Sequence, residues 1–218
     1  MGRSNLATRV ERTSRREPTH GSFRDLVDDE EWQQLPALVQ ARFERELAPG
    51  ETIAFVGEVA ETRMTAFGWL WAQVARLAGA PLPLKALMRT SAAVVVAQDA
   101  SGTAQCWTRI YHGDGALPQV IRSGKRFAGP TGLEERVGAG IGMALALSVE
   151  QRALVFRSTE YFWSCGRLRF RIPDCLTPGR IAVIHREERA GRFSFTLLVM
   201  HPWFGEIIRQ VAFFRDTQ

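Results

Sequence analysis

Lysine is almost absent from this chain. Of 28 basic side chains only Lys85 and Lys125 are lysine, so arginine carries nearly all the positive charge. With frequent alanine and glycine, that usage is the compositional mark of a GC-rich bacterial genome. Cysteine is sparse too: Cys106, Cys165 and Cys175 are an odd number with no C-x-x-C spacing, which speaks against a disulfide framework and a structural zinc site. A reducing cytoplasm is the simplest compartment for such a chain. No run reaches the roughly 18 apolar residues that cross a bilayer. The nearest, Met64 to Leu84, is interrupted by Arg76, Pro81 and Pro83 and reads as a buried helix. The N-terminus lacks the apolar core of a signal peptide, and Leu6 stands where a myristoylation signal needs Ser or Thr. Missing as well are H-x-x-x-H or H-x-x-E-H pairs and a Gly-x-Ser-x-Gly elbow, so no metal, no cofactor and no covalent nucleophile is expected.

What is present suits a globular protein: 218 residues, 45% of them hydrophobic. The net charge of +5 is uneven. Residues 1–22 hold five Arg and two Glu and almost no large apolar group, so they read as a disordered basic tail, and residues 23–218 as a single β-rich domain. With the basic excess in the tail, a nucleic-acid-binding face is not expected.

Helical spacing appears in Phe23 to Leu47, with Pro36 suited to a first turn. Glu51 to Glu61 reads as a strand, and Thr65 to Ala78 as an amphipathic helix whose stripe is Phe67, Leu70, Trp71, Val74 and Leu77, stopped at Gly79. Beyond Pro83 nearly everything has strand composition. Short strands at Arg89 to Ala97, Ala104 to His112, Leu117 to Ser123, Gly132 to Val137, Gly140 to Val149, Ala153 to Trp163, Arg167 to Ile172, Arg180 to Arg189, Arg192 to His201 and Glu206 to Arg215 are separated by turn signals such as Gly113 to Gly115 and Ala190-Gly191. The expected class is α+β and mainly antiparallel: a curled sheet or barrel-like meander of about nine or ten strands with two or three N-terminal helices.

Val137 to Glu160 admits two readings. Gly138, Gly140 and Glu160 fit the spacing of a dinucleotide-binding loop and its ribose-binding acid. Met143 in place of the third glycine, and the charged Leu133 to Arg136 ahead of it, favour instead a hairpin turning at Glu150, Gln151 and Arg152.

Several segments carry a family resemblance. They are Leu35-Pro36, the proline break after the Trp-rich helix, Trp107-Thr108-Arg109-Ile110-Tyr111, Gly132-Leu133-Glu134-Glu135, the hairpin, Leu176-Thr177-Pro178, and Arg192-Phe193-Ser194-Phe195 through His201-Pro202-Trp203-Phe204-Gly205. In this order they resemble a bacterial family known as domain of unknown function 4166, over most of residues 23–216. That domain often sits behind a saccharopine-dehydrogenase-like NAD(P)-binding domain. The resemblance implies a β-rich fold and an NAD(P)-binding dehydrogenase as possible partner, without an activity.

Strand alternation sorts the candidate site residues. Along Gly140 to Val149 one face is bulky (Ile141, Met143, Leu145, Leu147, Val149) and the other nearly bare (Gly140, Gly142, Ala144, Ala146, Ser148). A bare face admits either a closely packed helix or space for a ligand. Trp107, Arg109 and Tyr111 share a face, where Arg109 either grips an anion or pairs with Glu134 or Glu135. Tyr161, Phe162 and Trp163, like Trp203 and Phe204, are core or an interaction patch. His185 and Glu187 share a face as a solvent-facing pair or a general base. Arg167, Arg169 and Arg171 form a cationic face, either solvated or turned to an anionic partner.

Three functions follow as expectations. The first is a cytoplasmic barrel-like domain binding an apolar or amphipathic, lipid-like small molecule through Trp107, Tyr111, Gly142, Ala144, Ala146 and Tyr161, beside an oxidoreductase. The second is a cofactor-free acid-base enzyme using Arg109, Glu135 and His185, and the third a ligand-free interaction scaffold.

Overall fold

The computed structural model describes residues 21–77, 82–112, 117–189 and 191–216. Residues 1–20 of the expected 1–22 tail, the stop at Gly79, the break at Pro81, the Gly113 to Gly115 turn and the turn position Ala190 lie outside the described residues.

Eleven strands form one antiparallel sheet: β1 (Thr52–Met64), β2 (Met88–Gln98), β3 (Ala104–His112), β4 (Gln119–Arg126), β5 (Glu134–Gly138), β6 (Ile141–Glu150), β7 (Ala153–Cys165), β8 (Leu168–Ile172), β9 (Arg180–Arg189), β10 (Arg192–His201) and β11 (Gly205–Asp216). Ten of them run up and down in chain order, and pairing of β1 with β11 closes the ring. β8 is an extra strand: the first half of β7 pairs with β9 and the second half with β8. The period-2 pattern sets the interior. In β2, Thr90, Ala92, Val94 and Val96 are buried while the residues between them are not.

The ambiguous segment is a hairpin. Gly138, Ala139 and Gly140, all with positive φ (130°, 49° and 77°), turn β5 directly into β6, and no helix follows. β6 pairs with β7 from Ile141 opposite Trp163 to Glu150 opposite Ala153. Gln151 and Arg152 form the two-residue turn with φ of 48° and 63°, the left-handed pair that hairpins of this length prefer. A phosphate-cradling helix N-terminus is therefore absent from this segment.

One bulge in that hairpin re-aims side chains. Ala144 faces Glu160 and Leu145 faces Ser158, so Thr159 is an extra residue on β7. Before it Leu154, Phe156 and Ser158 share the inward face; after it Tyr161 does, and Glu160 and Phe162 turn outward.

Residues from Phe23 onward close one end. Helices α1 (Asp29–Trp32) and α2 (Ala37–Glu44) bring Phe23 and Phe43 edge-on to each other, and both rings meet Phe156 of β7. The other end is covered by α3 (Ala66–Leu77), whose first turn is capped by the Thr65 hydroxyl accepting from Gly68 N at 3.0 Å. Gly68 lets the helix approach β11 closely, since a Cβ there would stand 2.2 Å from the Ile207 carbonyl. The buried face of α3 differs from the expected stripe. Phe67, Trp71, Ala72 and Ala75 face the core, Val74 borders the barrel interior while about half exposed, and Leu70 is about half exposed.

Candidate functional site

Inside the barrel lies a cavity of about 250 Å³, lined mostly by apolar side chains from nearly every strand and from α3. Both of the chain's tyrosines, Tyr111 and Tyr161, and one of its two lysines, Lys125, line it. The β3–β4 register orders the polar groups by depth, with Lys125 beside Gln105, Ser123 beside Trp107, Ile121 beside Arg109 and Gln119 beside Tyr111. Gln119 marks the α3 end, donating to the Leu82 carbonyl at 3.2 Å. Lys125 marks the opposite end, since its ammonium lies 5.8 Å from the ring of Phe156, the residue that meets Phe23 and Phe43.

At that deep end sits an ionic cluster. Arg109 Nη1 donates to Ser123 Oγ (3.2 Å) and Nη2 to Glu135 Oε1 (3.3 Å), while Lys125 Nζ stands 3.1 Å from Glu135 Oε2. The Lys125 ammonium also lies 4.5 Å from the centre of the Trp107 ring, a cation–π contact in a water-poor site. Burial alone would raise the Glu135 pKa, but the charges of Lys125 and Arg109 overcome it and hold the carboxyl at about 2. Burial draws Lys125 below the usual lysine range against the opposing pull of Glu135. It pushes both tyrosine hydroxyls up, so each remains a donor across the physiological range. Tyr161 donates to the Gly179 carbonyl at 2.8 Å. Tyr111 is 6% exposed, and its hydroxyl has no hydrogen-bond partner among the described residues.

The structure brings Trp107, Arg109, Tyr111, Glu135, Gly142 and Tyr161 to one cavity. Ala144 and Ala146 are not among its lining residues. Alternation on β6 puts the bulky Met143 and Leu145 inward, so the bare face turns outward, where Phe162 fills the space over Gly142. Glu134 sits back to back with Glu135 on the outer face, paired with Arg169 and Arg136. Arg169 also pairs with Glu160 and lies over the Phe162 ring, so it is engaged rather than merely solvated.

His185 is elsewhere. It is fully buried behind Phe195, packed against Phe43 and Phe193, and is not a solvent-facing partner of Glu187. Arg42 Nη1 lies 2.9 Å from its Nε2 and also pairs with Glu187 (3.4 Å), and Arg42 Nη2 pairs with Asp216 (3.0 Å). Since an arginine only donates, Nε2 accepts and the ring proton sits on Nδ1, which has no partner. The three groups expected for acid-base chemistry thus do not share a site, and a carboxylate held by two cations is a weak base.

Burial, then Arg42, holds His185 well below 6.5. The unfolded chain therefore takes up a proton near pH 6.5 that the folded chain refuses, so this contribution to stability is full above 6.5 and shrinks as pH falls below it. Glu135, at about 2 folded against 4.5 unfolded, adds a second loss between those values. Urea unfolding from pH 8 to pH 3 is expected to show both declines, with His185→Leu removing only the upper one.

Lys125 and Arg42 were not singled out by sequence reasoning. The rarity of lysine was visible and was the available signal for Lys125. Nothing local points from Arg42 to a histidine 143 positions away. Among the described residues no group of His, Cys, Asp or Glu could hold a metal ion, and no helix is long and apolar enough to cross a membrane. Neither a curated protein nor a solved structure matches the chain. Residues 35–214 match the family described as a domain of unknown function (DUF4166), and the chain belongs to that family.

Proposed function

We propose that the barrel is a receptor for one apolar or amphipathic small molecule, working beside an NAD(P)-dependent oxidoreductase that makes or uses it. The observation that carries the first part is the cavity: apolar walls, a volume of about 250 Å³, and a few convergent polar groups at one end. That is the general build of a small-molecule site, just under its usual size range. The second part is supported by the fusion habit of the resembling family. The three cysteines, all free and exposed, fit a reducing compartment.

Titration with Nile red, an uncharged apolar dye, tests the receptor reading. One saturable equivalent with blue-shifted emission is expected, displaced by medium-chain alcohols and acids. Leu145→Trp, which fills the cavity, should abolish it without lowering the thermal midpoint by more than a few degrees. Absence of saturable binding, or equal binding by the filled variant, would overturn the reading. Co-purification with a dehydrogenase from the source cell tests the partner.

A further inference from the structure

The deep ionic cluster is one negative charge short. Glu135 is shared by Arg109 and Lys125, two cations on one carboxylate. A guanidinium offers five N–H donors and an ammonium three. Arg109 uses two, to Ser123 and Glu135, and Lys125 uses one, to Glu135, so five donors remain among the described residues. The Arg109 side chain is still 23% exposed, although both neighbours on its strand face, Trp107 and Tyr111, are buried. The Tyr111 hydroxyl, two residues along the same strand face, lacks an acceptor altogether among the described residues. That hydroxyl opens onto the cavity rather than being sealed in the wall, so it can donate to whatever occupies the space.

Resting on the receptor reading above, we infer that the ligand is a monocarboxylate, its head held by Arg109, with Lys125 on its deep side and the Tyr111 hydroxyl on the side nearer α3, and its apolar tail pointing to α3. A carboxylate supplies one negative charge, matching the shortfall, and two acceptor oxygens that suit a guanidinium fork and a phenol together. A phosphate monoester would bring nearly two negative charges toward Glu135, and an amine would meet two cations. The tail direction follows from the walls. From Tyr111 upward the lining is mainly apolar, with Trp71, Val74, Leu82, Leu176 and Leu197 and only Thr177 and Gln210 polar among the described residues.

Calorimetry with decanoate, decanol, decylamine and decyl phosphate at one pH tests the head-group assignment. Decanoate should bind about tenfold or more tighter than decanol, the worth of one charge-assisted hydrogen bond. Tyr111→Phe, which deletes only a hydroxyl with no hydrogen-bond partner among the described residues, should narrow that gap several-fold, and Arg109→Gln should close it. Decanol equal to decanoate, or decylamine or decyl phosphate tighter than either, would overturn the carboxylate while leaving the receptor standing. If none of the four binds, both fall.

Discussion

Glu135→Gln is expected to lower the unfolding free energy by about 3–5 kcal/mol, the cost of leaving a buried charge without its partner. The charge in question is Lys125: its side chain is 6% exposed, and its ammonium contacts otherwise are aromatic rings. Since domains are stable by only about 5–15 kcal/mol, the loss is a large fraction of the whole. The double variant Lys125→Met, Glu135→Gln removes the orphaned charge with its partner and should regain most of that loss, because methionine fills a similar volume. Chemical denaturation of the three proteins checks this. A single-variant loss under about 1 kcal/mol would mean that water reaches the cluster, and the double variant would then show no recovery.

Arg42→Met should cost about 3 kcal/mol through a different route. Arg42 is the clasp between α2 and the barrel: it meets His185, Glu187 and Asp216 and lies 3.9 Å from the centre of the Phe193 ring. Its removal leaves the nearly buried Glu187 carboxylate without a cation and His185 Nε2 without a donor. Limited proteolysis should then cut first within residues 21–47, since the helices have lost their anchor while the barrel keeps its own pairing. Arg157→Met serves as the control. Arg157 pairs with Glu150 on the surface, both side chains nearly half exposed, so its loss should stay under about 1 kcal/mol. Equal effects of the two substitutions would sink the clasp.

Much of the barrel was legible because a strand with one wet face advertises its period. Arg180–Arg189 and Arg192–His201 have the bounds that composition predicts, and Gln151-Arg152 turns where the polar break falls. Trp107, Arg109 and Tyr111 share a face in both readings for the same reason. What was not legible depends on distant partners. Closure needs β1 to meet β11, about 150 residues later, and neither strand carries a mark of the other. The orientation of β6 could not be read from its own contrast of bulky and bare faces, because a buried outer face under Phe162 accepts small residues as readily as a cavity would. The bulge at Thr159 reverses the alternation of β7 partway along, and only the register with β6 reveals it. Lys125 defeats simple reading because buried lysine is rare without a partner, and its partner is on the next strand.

A closed barrel offers no free strand to a neighbour, yet this one carries a spur. β8 is the outer border of the sheet and bears the half-exposed Leu168 and Phe170, the latter stacked on Trp163. Such a border invites a second copy to add its own strand and propagate into an aggregate. Arg167, Arg169 and Arg171 punctuate that stretch, and a copy arriving in antiparallel register would set arginine against arginine, while Arg169 is held to the barrel by Glu134 and Glu160. The arginines act as gatekeepers, and the same charges that tether the spur to the barrel wall keep its edge from becoming a template.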